Sequence, residues 1–158
     1  MFDFLKRIID LIIAFITLIL LLPIFVFVII ILLFTGEGKV FYLQKRLGFK
    51  NKSFKIIKFA TMLKNSPNIG SGSITLRDDP RVLPFGKFLR KSKINELPQI
   101  FNVIRGEMSI VGPRPQMEVD FNKFPKDKRD HIYLSKPGIT GIGSIVFRDE
   151  EKWISSFK

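Results

Sequence analysis

Glu96, a single carboxylate, stands beside the amide of Asn95 where an apolar-periodic segment begins. Leu97, Ile100, Phe101 and Ile104 recur at i, i+3, i+4 and i+7, the spacing of a helix with one buried face. Asn95 suits the N-cap of that helix and Glu96 the positive end of its dipole. Pro98 fits because the first turn has no use for the N–H that proline lacks. Gly106, after Arg105, closes the segment. An acid and an amide at such a helix start lie where phosphate and carboxylate groups collect. With no cysteine and one histidine in the chain, disulfides and thiolate zinc sites are excluded, and a metal would have to be held by oxygen.

Charge points to anionic partners. The 158 residues carry 26 Lys and Arg against 14 Asp and Glu, a net +12. Lys45, Arg46, Lys50, Lys52, Lys55, Lys58, Arg77, Arg81, Lys87, Arg90, Lys91 and Lys93 hold much of the excess. Scattered lysines are often no more than a solvated face. Beside a membrane segment, however, basic residues gain roughly 1 kcal/mol each from anionic headgroups. No aromatic–basic RNA motif accompanies them, so lipid and phosphate are the expected anions and nucleic acid is not.

That membrane segment is residues 11–34, which contain no charged side chain. As an unbroken helix they would reach ~36 Å, enough to cross a ~30 Å hydrocarbon layer. Two features oppose a crossing. Pro23, near the middle, bends or breaks a helix, and each half alone would reach only ~18 Å. Lys6 and Arg7 before the run mirror Lys39, Lys45 and Arg46 after it, and a crossing would strand one basic flank outside. A re-entrant helix-break-helix keeps both flanks in the cytoplasm. A signal peptide is disfavoured, because the run is too long and no small-residue cleavage pattern follows. Asp10 is expected at the interface beside Lys6 and Arg7.

Gly36 and Gly38 mark the exit from the membrane. Residues 40–44 and 54–59 read as short strands joined by a turn at 47–51, a hairpin near the lipid surface. Residues 65–73 read as loop, and 82–92 as a helix with Leu83, Phe85, Phe88 and Leu89 on its apolar side. His131 is expected to be exposed, Asp149-Glu150-Glu151 to form a solvated acidic turn, and Trp153, Ile154 and Phe157 to belong to an interfacial segment. The expected architecture is α+β and mainly helical, with a membrane anchor over residues 1–36 and one small cytoplasmic domain over 37–158.

The strings Lys93-Ile94-Asn95-Glu96-Leu97-Pro98-Gln99, Asn102-Val103-Ile104-Arg105-Gly106-Glu107-Met108-Ser109 and Val111-Gly112-Pro113-Arg114-Pro115 resemble the signature of the bacterial sugar transferases, the monotopic polyprenol-phosphate phosphoglycosyl transferases. Lys58-Phe59-Ala60-Thr61-Met62 is similar to their Lys-Phe-Arg/Lys-Thr-Met. Asp79-Pro80-Arg81 and Gly86-Lys87-Phe88-Leu89-Arg90-Lys91 precede the central helix as in the family. Pro137-Gly138-Ile139-Thr140-Gly141 resembles the later Arg-Pro-Gly-Ile-Thr-Gly, with Lys136 for the arginine.

The resemblance implies transfer of a phosphosugar from a UDP-sugar to polyprenol (undecaprenyl) phosphate at the cytoplasmic leaflet of the inner membrane, releasing UMP and starting a glycan. In the family an Asp attacks the β-phosphate and the neighbouring Glu binds magnesium. Carried over, Glu96 is the metal ligand and Arg114 binds phosphate. Arg90, Lys58 and Arg81 are further candidates for the same anions. The family also re-enters the membrane around a proline matching Pro23, although Leu22 stands where its members often have Ser. Members usually continue past the position of Lys158, so the C-terminus is expected to be shorter than theirs. Asn95 departs from the pattern, since it occupies the place of the attacking Asp and a neutral amide is a poor nucleophile. Three readings stay open at this point. Glu96 or the lipid phosphate attacks instead; the chain is an inactive homologue that acts as a membrane-bound nucleotide-sugar-binding adaptor; or it is an Asp→Asn variant.

Overall fold

The apolar run forms a single helix. In the computed structural model, which describes residues 2–66 and 79–143, α1 occupies Phe2–Phe34 with Pro23 in its interior. The expected interruption at Pro23 is therefore not a break in the helix. One missing N–H is a smaller loss than unwinding apolar chain, which would leave several backbone groups without partners. The helix ends at Gly36 and Gly38, both with positive φ (61° and 65°), a left-handed conformation that glycine adopts without strain.

One stripe of α1 faces protein. Asp10, Ala14, Phe25, Val28 and Leu32 are buried, with Leu18, Leu21 and Ile29 partly so. Much of the remainder, including Ile19, Leu20, Phe27 and Phe34, is exposed and apolar. At the start of the helix, Arg7 donates to the carbonyls of Val103 and Ile104 at 2.6 and 2.9 Å. Asp10 accepts from Ser109 Oγ at 2.7 Å and from the Ile110 N–H at 3.1 Å, and Lys6 contacts both Asp10 and Ser109. Asp10 thus lies beside Lys6 as expected, and is buried inside a protein contact. Its acceptors are filled, which is the condition for burying a carboxylate.

Strands β1 (Phe41–Leu47) and β2 (Ser53–Phe59) pair antiparallel from Phe41↔Phe59 to Leu47↔Ser53, across a short 3₁₀ turn at Phe49–Asn51. Helix α2 spans Pro84–Lys91 and α3 spans Gln99–Arg105. Between them Ile94–Glu96 forms a separate 3₁₀ turn, entered through a left-handed Lys93 (φ 60°). Asn95 is therefore not the N-cap of α3; Pro98 holds that position. Proline is again the reason. Pro98 has no N–H to offer the carbonyl of Ile94, which accepts instead from Leu97 at 3.1 Å. Asn95 and Glu96 end one turn ahead of the helix, not at its N-terminus.

Two three-residue strands, β3 (Ser109–Val111) and β4 (Gly138–Thr140), pair in parallel, and the short helices α4 (Glu118–Phe121) and α5 (Lys126–Ile132) lie between them in sequence. The main core joins the anchor to the domain: the Phe25 ring sits 5.4 Å from Phe59 and 5.8 Å from Phe101, beside Leu89, Val103 and Met108. The residues expected to form an acidic turn at 149–151 and an interfacial segment around Trp153, and most of the loop at 65–73, lie outside the described residues.

Candidate anion-binding active site

Strand β2 and the turn before α3 bring Lys58 and Glu96 together, and Asn102 fixes the two elements to one another. Asn102 is fully buried. Its Oδ1 accepts from the Ile57 N–H at 3.0 Å, and its Nδ2 donates to the Lys55 carbonyl and to Glu107, both at 2.8 Å. Across this bridge the Lys58 ammonium meets Glu96 Oε1 at 2.7 Å, with the two side chains 17% and 27% exposed. Burial opposes the charge on Glu96, but Lys58, with Arg114 and Lys93 behind it, outweighs burial and holds the carboxyl at about 2. Burial lowers Lys58 from its ordinary value, and Glu96 offsets part of that effect. Glu96 is thus ionised at any physiological pH.

Lys58 and Glu96 form one wall of a pocket that Arg46, Arg114 and Gln99 complete. Arg46 comes from β1. Its Nε and Nη2 grip Gln44 Oε1 at 3.2 and 2.7 Å, and its Nη1 reaches the Pro115 carbonyl at 3.3 Å. Burial, and then the like charge of Arg114, both work against the charged form of Arg46. Three cations therefore surround one carboxylate that is already paired. An arrangement of this kind is relieved by an anion, and planar guanidinium groups suit phosphate oxygens.

Arg114 is positioned by its backbone. Tyr133, itself buried, donates its hydroxyl to the Arg114 carbonyl at 3.0 Å and accepts from the Gln116 N–H at 2.7 Å. The floor comes from β4, where Gly138 and Ile139 line the pocket. Gly112, Gly138 and Gly141 let the two chain segments touch: a Cβ at Gly138 would overlap Gly112 N, and one at Gly112 or Gly141 would overlap the facing backbone. This close approach is the physical reason for glycine in both motifs.

Of the residues the sequence nominates, Lys58, Glu96 and Arg114 meet in the pocket. Asn95 adjoins it through Glu96, buried, with no hydrogen-bond donor to its Oδ1 among the described residues. Arg90 and Arg81 are not brought there. The Arg90 guanidinium lies against Met62 Sδ at 3.9 Å. Arg81 is buried in a two-pronged pair with Asp79 at 2.9 and 2.6 Å and donates to the Ser66 carbonyl at 2.8 Å, so its work is structural. His131 is exposed as expected. Sequence reasoning missed Arg46, Gln99, Asn102 and Tyr133. For Arg46 a signal existed: Gln44 and Arg46 alternate onto one face of a strand, where a charge needs a purpose.

The whole chain, residues 1–158, matches the family model described as bacterial sugar transferase. The chain belongs to that family. Among curated bacterial sugar transferases it is 39% identical over 160 residues to the exopolysaccharide production protein ExoY of Sinorhizobium fredii, covering 92% of this chain and 70% of that protein. It is 36% identical over 161 residues to the UDP-galactose-lipid carrier transferase of Erwinia amylovora, covering 93% of this chain and 33% of the relative. It is 35% identical over 147 residues to the UDP-N-acetylgalactosamine-undecaprenyl-phosphate N-acetylgalactosaminephosphotransferase of Aeromonas hydrophila, covering 92% and 34%. The chain thus spans about a third of the length of the two longer relatives.

Proposed function

We propose that this chain transfers a phosphosugar from a UDP-sugar to undecaprenyl phosphate, yielding undecaprenyl-diphosphate-sugar and UMP, the first membrane step of glycan assembly. The observation that carries the reading is the pocket. Arg46, Arg114 and Lys58 crowd around one paired carboxylate, a charge balance suited to a diphosphate, in a domain packed against a long apolar helix. The relatives' names supply the donor and the acceptor.

The donor set also fits magnesium. Glu96 is an ionised oxygen ligand at the pocket wall, and Mg²⁺ is commonly held by one carboxylate together with substrate phosphates. When bound there, the ion would neutralise charge on the phosphates. The chain's own contribution is Lys58, which keeps Glu96 deprotonated, and the two arginines, which orient the diphosphate.

Placement at the cytoplasmic leaflet of the inner membrane, with both ends of α1 on one face and anionic lipids as neighbours, belongs to the same reading. Its support is the stripe from Asp10 to Leu32. These 23 residues span ~33 Å of helix and pack along one domain at both ends. A helix crossing the bilayer would carry those contacts to opposite sides.

The experiment is transfer of label from UDP-[³H]galactose or UDP-[³H]N-acetylgalactosamine to undecaprenyl phosphate with magnesium. Labelled lipid is expected, with its loss in Glu96→Gln. No product from either donor, with UDP-sugar binding intact, would instead favour a binding adaptor.

A further inference from the structure

The reaction as the family performs it needs a nucleophile in the protein, and this pocket lacks a suitable one. Asn95 stands in the aspartate's place. Its amide neither attacks phosphorus usefully nor gives a viable phosphorylated intermediate. Of the side chains lining the pocket, Arg46, Lys58 and Arg114 are cations, Gln99 is an amide, and Glu96 is the single carboxylate. Glu96 is committed elsewhere. Its Oε1 lies 2.7 Å from Lys58 Nζ, and both side chains are largely buried. Forming an acyl phosphate on Glu96 would remove the counter-charge from a buried ammonium.

We propose, on the basis of the function above, that this chain moves the phosphosugar in a single displacement. An oxygen of the lipid phosphate attacks the β-phosphorus of the UDP-sugar directly. The new P–O bond forms as the bond from that phosphorus to the bridging oxygen breaks, and UMP leaves with the electron pair on that oxygen. No proton, oxidant or protein-bound intermediate is needed for balance.

Asn95 then contributes by its neutrality. It stands next to Glu96 just behind the pocket lining, buried, with its Oδ1 meeting no donor among the described residues. A carboxylate at that position would place a further negative charge beside the two phosphates of the donor and the incoming phosphate of the lipid. The amide removes that repulsion and admits the lipid phosphate as attacker. The three cations hold both anions in the same pocket.

Two measurements on the full chain in lipid nanodiscs test this, with UDP-galactose, UDP-glucose and UDP-N-acetylgalactosamine as donors. Initial rates measured while varying donor and undecaprenyl phosphate are expected to give intersecting double-reciprocal lines. UMP release is expected to rise by at least about tenfold when the lipid is added, and intact mass after donor alone should be unchanged. Asn95→Asp should gain lipid-independent UMP release and a phosphosugar adduct. Parallel lines, or an adduct on the unaltered chain mapped to Glu96, would overturn the single displacement. Either of these results leaves the proposed function standing, whereas transfer by Asn95→Asp with none by the unaltered chain would overturn both proposals. If neither form transfers from any donor, both proposals fall.

Discussion

Lys58 and Glu96 each make the other's burial tolerable, and acid should expose that dependence. Glu96 sits well below its ordinary 4.5, at about 2. A depressed carboxyl stabilises the fold above its unfolded value and loses that contribution as pH falls through the folded one. The loss should therefore run from about pH 4.5 down to about 2. The burial of Lys58 offsets part of the gain, leaving roughly 1–2 kcal/mol. Urea unfolding at pH 7 and pH 3, compared between the parent and Glu96→Gln, checks it: the difference in stability between the two should shrink at the lower pH. Arg46 gives a second test. Charge-assisted hydrogen bonds contribute about 1.5–3 kcal/mol, so Arg46→Ala should lower kcat/KM for the UDP-sugar by about ten- to a hundredfold. Arg46→Lys should restore little, because one ammonium cannot hold Gln44 and the Pro115 carbonyl while facing a phosphate.

The elements that set this geometry differ in how plainly they can be read from residue types. The hairpin announces itself through β-branched and aromatic residues on either side of a turn, and it forms where it is expected, although its first strand runs three residues further, to Leu47. Helix α3 is legible from its apolar spacing, yet its start is displaced because one missing N–H at Pro98 decides where the bonding changes from 3₁₀ to α. Arg46 is hidden for another reason, since its role depends on Arg114 across the fold and not on its chain neighbours. The pairing of β3 with β4 is the least visible, with three residues on each side and two short helices between. The glycines carry it. Gly138→Ala or Gly112→Ala should destabilise the domain by about 2–4 kcal/mol, because the added carbon meets backbone that cannot swing aside. The same change at Gly143, where no described residue lies within 4 Å of the new carbon, should leave stability within about 0.5 kcal/mol. Thermal melts of the three variants separate a seam requirement from a general preference for glycine.

At the scale of the whole molecule, the anchor and the domain share one core. Phe25 packs tilted against Phe59 and edge-on against Phe101, and Asp10 is held by Ser109 and Ile110, so the polar domain is bound to the apolar helix at two separated points and cannot swing on a tether. For a transferase acting on a lipid phosphate, this fixes the height of the pocket relative to the headgroups. Asp10→Ala should loosen that attachment. It leaves Lys6 without its acid partner and the Ile110 N–H without an acceptor, at about 1–3 kcal/mol, and should slow lipid-dependent transfer more than UDP-sugar binding. The proposed placement of α1 also predicts sidedness. The chain contains no cysteine, so single cysteines at Asp3 and Lys39 can be labelled against a silent background in sealed inverted and right-side-out vesicles. Both should react with an impermeant maleimide in the same orientation of vesicle. Reaction from opposite faces would mean that α1 crosses the bilayer, and the packing of Asp10 and Phe25 on a single domain could not then survive in the membrane.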